Sequence, residues 1–211
     1  MKNFNRQISA IIIMTAIFLG VAPQNLKAQT TYKLTTGKDV TIKVLGSSNI
    51  HDWVMTSSAT MESQGEFKFD DKNQLQSLHS FSFSLTAKSL KSEHESMDNR
   101  TYNTIKADKY PNITYKLTSA AVTQAQKNKY LVKTTGDLTI AGVTQSIAMT
   151  VTVIVNTDNT LSCTGSEKLK LTDYKIDPPS FMLGAMKVTN DLTIQFSLIY
   201  NKNNQLITKA N

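Results

Sequence analysis

The chain has 211 residues, 40% of them hydrophobic and 18% charged, with a formal net charge of +7. Lys2, Arg6 and Lys27 stand in the first 28 residues without a single acid, and removing those three lowers the charge of the rest from +7 to +4. Arg100 is the only arginine of that remainder. A nucleic-acid binder clusters its basic residues and carries more arginine, so the scattered lysines are read as a solvated surface with no nucleic-acid partner.

The opening residues have the layout of a secretory leader: a basic start, a short apolar run from Ile8 to Val21, and Leu26-Lys27-Ala28 with a small residue at the cut. The run is shorter than the about 20 apolar residues a membrane span needs. Cleavage is expected after Ala28, which sends residues 29–211 to the periplasm or outside the cell as one domain. Cys163 is the only cysteine, so no internal disulfide holds that domain together, and the thiol is read as a small buried hydrophobe.

Strand signals then follow one another. Val40, Ile42 and Val44 alternate; Trp53 and Met55 share a parity; Phe67 and Phe69 precede a polar turn at Asp70-Asp71-Lys72-Asn73. Phe81, Phe83 and Leu85 alternate with Ser80, Ser82 and Ser84, the pattern of a strand with one wet face. Ile113, Tyr115 and Leu117 make another. The longest signal runs from Tyr130 to Ile140 on one parity, breaks at Ala141-Gly142-Val143-Thr144, and resumes from Ile147 to Val155, which predicts a hairpin. Leu161–Leu171 and Leu192–Tyr200 complete the set. Eight or more antiparallel strands in one domain suggest a barrel or a sandwich.

Two segments break the alternation. Ser89–Ala107 carries its acids early and Lys106 late, an order suited to the helix dipole. A short helix is expected over about residues 92–106, with Leu90, Met97, Tyr102 and Ile105 as a loose apolar face that caps one end of the barrel. In Asp173–Lys187 the Pro178-Pro179 pair forbids regular pairing, and Phe181, Met182, Leu183 and Met186 make the loop unusually apolar.

A search for chemistry is mostly negative. The sequence has no Gly-x-Ser-x-Gly, no phosphate-cradling glycine loop and no Cys-x-x-Cys, and its histidines (His51, His79, His94) stand at no ligand spacing. No catalytic residue and no metal ligand is assigned. In His51-Asp52-Trp53, a strand would put His51 and Trp53 on one face and Asp52 on the other. His51 is read as a hydrogen-bonded residue at a strand start. For Trp53 two readings stand together: a core residue, or a cavity wall with its indole N–H turned to a polar partner.

Four stretches carry a resemblance. Gly136-Asp137-Leu138-Thr139-Ile140-Ala141-Gly142-Val143-Thr144, Phe67-Lys68-Phe69-Asp70, Asp108–Tyr115 and Leu169–Ile176 are similar to segments of the YceI-like family; no single one is decisive, but the four occur in the family's order along the chain, and the likeness extends from about Tyr32 to Tyr200. It implies an all-β, lipocalin-like, eight-stranded antiparallel barrel with one inserted helix. It also implies an exported bacterial protein that holds a long isoprenoid lipid or isoprenoid quinone, with no catalytic residues and no other cofactor. The chain departs from the family's helix pattern, where an Arg-Asp pair is common: here Met97-Asp98 keeps the Asp and loses the Arg.

The ligand-binding residues expected are Trp53, Phe67, Phe69, Phe81, Phe83, Ile113 and Tyr115 in the interior, with Met97, Tyr102, Phe181 and Met182 near an opening. A transient contact with a membrane surface and a homodimer stay open as partners. Two further readings stand beside the lipid carrier. The first is a barrel filled by its own side chains that acts through its surface in an envelope assembly; the second, weaker, is an enzyme acting on a lipid. The alternation of apolar residues is compatible with an open or a filled barrel.

Overall fold

The computed structural model describes residues 29–37 and 39–203; the expected leader, 1–28, lies outside the described residues. Its strands are β1 (Thr30–Leu34), β2 (Thr41–Ser48), β3 (Asp52–Ser57), β4 (Met61–Phe69), β5 (Leu75–Thr86), β6 (Asn112–Gln126), β7 (Lys129–Ile140), β8 (Val143–Val155), β9 (Leu161–Lys170), β10 (Ser180–Phe181) and β11 (Met186–Lys202), with one helix, α1 (Glu95–Thr104), between β5 and β6.

These strands form a closed, eight-stranded antiparallel barrel. The count reconciles because β1 and β2 lie end to end along one edge of β11, and β3 and β4 lie end to end beside them. From there the ladder runs through β5, β6, β7, β8 and β9 to β11, which pairs back to β1. Closure leaves no long free edge for another chain to pair with.

The long hairpin folds as its alternation requires. Tyr130, Val132, Thr134, Gly136 and Leu138 are buried on β7, while β8 buries Val153 and Val155 and half-buries Ile147, Met149 and Val151 on the same parity. Ile140 pairs directly with Val143, so the turn is only Ala141-Gly142, tighter than the four residues expected. Both take positive φ, 50° and 77°, as a two-residue turn matched to strand twist demands. Gly142 has a second reason: the ring of Tyr110 occupies the space a Cβ would need.

The two ends of the barrel differ. At the end where β11 finishes, Tyr32, Phe67, Tyr130, Leu161 and Tyr200 belong to one buried cluster that plugs the interior. Ser63 donates its single hydroxyl hydrogen to the Ser82 carbonyl at 2.7 Å, so Tyr200 must donate to Ser63 at 2.9 Å. That chain satisfies the Ser63 and Tyr200 hydroxyls, while the buried Tyr130 hydroxyl beside them has no partner. At the other end β3 outruns β5. Its free edge is taken by Lys91, whose N–H and C=O both bond to Thr56, at 2.9 and 2.7 Å, and α1 lies across this end.

The helix is shorter than the sequence suggests. His94 is its N-cap residue, and Lys106 already has a φ of 54° beyond its C-terminus. No basic residue stands in its last turn, so the dipole argument holds only for Glu95 and Asp98 at the start. In place of an N-cap side chain, the buried Asp98 carboxylate accepts the Ser92 N–H at 2.7 Å and the Ser92 hydroxyl at 2.8 Å. Asp98 thus anchors the strand-to-helix corner.

Candidate functional site

The unplugged half of the barrel encloses a cavity of about 440 Å³. Phe67, Cys163 and Tyr200 line its floor, where it meets the plug. Its walls include Phe81, Phe83, Ile113, Ile147, Met149, Leu192, Ile194 and Phe196. These point inward by strand parity and pack against the core clusters, yet they are only half-buried, because part of each faces open volume. The barrel is therefore not filled by its own side chains at this end.

Glycines in strand interiors help to keep the space open. At Gly46 the ring of Trp53 occupies the position a Cβ would take; at Gly136 the ring of Tyr115 does so, and at Gly165 that of Phe196. Trp53 is directly opposite Gly46, and Phe196 opposite Gly165. A ring laid over a bare Cα lies along the wall instead of projecting into the lumen, a use of strand glycine for close approach. Trp53, Tyr115 and Phe196 all line the cavity.

The helix contributes a mixed face. Met97, Arg100, Thr101 and Thr104 line the cavity at the i, i+3, i+4, i+7 spacing of one helical stripe. Asp98, Tyr102 and Ile105 are buried, and Tyr102 donates its hydroxyl to the Leu90 carbonyl at 2.7 Å. At the mouth the Arg100 guanidinium stacks 4.7 Å from the Phe181 ring centroid. Among the described residues, no carboxylate pairs with Arg100. His51 and His94 line the same rim.

Of the residues singled out from the sequence, Trp53, Phe67, Phe81, Phe83, Met97, Ile113, Tyr115 and Phe181 line the cavity. Three do not. Phe69 packs beyond the floor with its ring 5.8 Å from that of Tyr32. Tyr102 is held under the helix by its hydrogen bond to Leu90. Met182 is 71% exposed on the loop between β10 and β11. Trp53 also departs from expectation: it lines the cavity, but its Nε1 is buried with no hydrogen-bond partner. His51 lines the rim and is hydrogen-bonded at the start of β3 through its backbone: its N–H donates to the Ser48 hydroxyl at 3.1 Å and its C=O accepts the Ser48 N–H at 3.0 Å.

Sequence reasoning missed the polar side of the site. Arg100, Thr101 and Thr104 were passed over because an apolar stripe was sought on the helix, although their spacing from Met97 gives the lumen face. Glu167 and Tyr174, which also line the cavity, follow from the inward parity of β9 and the turn after it.

Comparison with known proteins agrees with this architecture. The model of the YceI-like domain matches residues 28–200. None of the curated proteins compared with the chain matches it. Among solved structures, BcnA from Burkholderia cenocepacia superposes with a TM-score of 0.62 at 18% identity, covering 79% of this chain and 98% of that one. A polyisoprenoid binding domain from Saccharophagus degradans, implicated in plant cell wall breakdown, gives 0.61 at 12% identity over 83% of this chain and 100% of its own. A YceI protein from Campylobacter jejuni gives 0.50 at 20% identity over 68% of this chain and 82% of its own. At these identities the likeness speaks for the fold, and with the family match over most of its length the chain belongs to the YceI-like family.

Proposed function

We propose that the protein is an exported, non-enzymatic carrier that holds a long apolar isoprenoid lipid or isoprenoid quinone inside its barrel. The observation that carries this reading is the open half of the barrel, whose inward aromatic and aliphatic side chains pack against the core on one side and are half-buried because their other side faces the cavity. Removing apolar surface from water gives about 0.8 kcal/mol per CH₂, so a prenyl chain needs no charged anchor to bind tightly. A mostly apolar pocket with a few polar groups is the common form of a small-molecule site. The polyisoprenoid binding domain among the similar folds supports the choice of ligand class.

The test is native mass spectrometry of the protein recovered from the exported fraction, with solvent extraction of whatever is bound. A reproducible excess mass that extracts as an isoprenoid is expected. A bare protein mass that stays unchanged after incubation with quinones and polyprenyl lipids would overturn the reading and turn attention to the protein's outer surface. N-terminal sequencing of the same material reads the export step: the first residue is expected to be Gln29.

The same reading places the mouth against a bilayer. Ile50 is 58% exposed, Met182 71% and Leu183 fully exposed, the three most exposed large hydrophobics among the described residues. Their two loops are tied together by Asn49, whose side chain accepts the Lys187 N–H at 2.7 Å and donates to the Ala185 carbonyl at 2.9 Å. Three side chains are far short of the roughly 800 Å² per partner that a stable protein interface buries, whereas a small aliphatic tip suits shallow, reversible insertion. Replacing all three with serine is expected to cut co-sedimentation with phosphatidylcholine vesicles while leaving a preloaded guest in place. Undiminished sedimentation of the variant would remove the tip from the account.

A further inference from the structure

Beside the unpartnered Trp53 Nε1 and Tyr115 hydroxyl, the apolar cavity holds Glu167 and Tyr174 without a side-chain partner. Glu167 points inward on β9, on the parity of Gly165 and Leu169. It lies past the last β8–β9 pair, Val151 with Gly165, where the two strands part. No cation among the described residues pairs with it. Four residues after β9, Tyr174 is 2% exposed, lines the same cavity, and has a buried hydroxyl with no hydrogen-bond partner. A buried hydroxyl left unpaired is costly, and so is a carboxylate drawn from water without compensation.

We propose that Glu167 and Tyr174 form a hydrogen-bonding pole that selects the hydroxyl end of an apolar lipid, an alcohol or phenol, over a phosphate or a quinone. The inference rests on the carrier reading and names the head of its guest. The selection follows from hydrogen-bond inventory. A carboxylate only accepts, and the Tyr174 O–H is free to donate. A ligand hydroxyl satisfies both at once: it donates to Glu167 and accepts from Tyr174. A quinone carbonyl accepts from Tyr174 but offers Glu167 nothing. A phosphate meets Glu167 with like charge.

The electrostatics fix the role of the tyrosine. Burial raises the Glu167 carboxyl above its ordinary range, with the Lys168 amide pulling it partly back. The Tyr174 hydroxyl is pushed up to about 12, first by burial and then by the Asp173 and Glu167 charges. Tyr174 therefore keeps its proton at any physiological pH and stays a donor.

The experiment titrates four probes sharing one prenyl chain: solanesol, solanesyl phosphate, and the ubiquinone and ubiquinol of equal length. Squalene, which has no head, is the control. Trp53, the single tryptophan and a cavity wall, reports binding by fluorescence. Solanesol and the quinol are expected to bind at least roughly tenfold more tightly than the phosphate and the quinone. Glu167→Gln should shrink the alcohol-to-phosphate preference, and Tyr174→Phe should weaken solanesol while leaving squalene unchanged. Tyr174→Phe removes a hydroxyl that bonds to nothing, so it leaves the fold intact. Equal binding of all heads, or a preference that survives both substitutions, overturns the pole. Failure of every probe, squalene included, overturns the carrier reading instead.

Discussion

Arg100 and Phe181 meet across the mouth of the cavity, the guanidinium 4.7 Å from the ring centroid. One comes from the helix that lies over the barrel end and the other from the two-residue strand β10, so the stack links two elements that the barrel ladder does not hold together. A cation over an aromatic face gains about 0.5–1 kcal/mol at an exposed site.

If this stack restrains the mouth, Arg100→Gln should speed release of a bound lipid by about two- to fivefold. The folding midpoint should fall by no more than about 4 °C, since Arg100 is exposed and the stack is its one ring contact. Stopped-flow transfer of a fluorescent prenyl lipid to acceptor vesicles measures the rate. An unchanged rate would mean that helix and loop move independently of the stack.

The glycine–ring pairs make a second prediction. A methyl group at Gly165 collides with Phe196, and one at Gly136 collides with Tyr115. The rings must then swing toward the lumen. Gly165→Ala should cost about 1–3 kcal/mol of stability, the usual range for overpacking, and should weaken binding of a long chain more than of a short one. Gly37→Ala, where nothing lies within 4 Å of the added methyl, serves as the control. Calorimetric titration with prenyl alcohols of increasing length checks the order; equal losses at all lengths would show that the rings do not define the cavity's volume.

These features explain why the fold was legible in the sequence and the site only partly so. Period-two alternation states directly which side chains point inward; β7 and β8 obey it, and β5 obeys it from Phe81 to Leu85, while Leu78 changes parity where the pairing with β4 shifts register. It does not state whether the inward side chains meet. That depends on the size of the residue opposite, and at Gly46, Gly136 and Gly165 an inward position carries no side chain. Phe69 shares its parity with Phe67 but lies past the floor, a difference along the barrel axis that parity does not encode. On the helix, the search for an apolar stripe joined Met97 to Tyr102, although the two lie on different faces; the polar residues at helical spacing from Met97 carried the better signal. His94, where the helix begins, bonds through its backbone, and Asp98, four residues further on, reaches back to hold Ser92 ahead of the helix.

Cys163 lines the cavity floor yet is only 6% exposed. Burial pushes its thiol up to about 12. The thiolate is the nucleophile, so iodoacetamide should leave the folded protein unmodified at neutral pH and label it fully in denaturant. Mass spectrometry of the alkylated protein reads this directly. Fast labelling of the native state would mean that the floor opens to solvent, and prior loading with a prenyl lipid would then be expected to slow it.

Asp98 gives the last prediction, through pH. Burial by itself raises its carboxyl, but the two bonds from Ser92 and the nearby Lys91 ammonium, 3.4 Å away, outweigh burial and hold it below the ordinary range. A carboxyl whose pKa is lower in the folded than in the unfolded chain adds stability above the unfolded value, near 3.9. That contribution is lost as pH falls through the folded value. Asp98→Asn keeps the shape but loses the charge on both bonds and the favourable place in the first helical turn. It should cost about 1–2 kcal/mol at neutral pH. Denaturant melts of wild type and variant from neutral pH downward should run parallel until about pH 4 and then converge. Curves that stay parallel to the most acid point would show that the carboxylate's charge is not what anchors the corner before the helix.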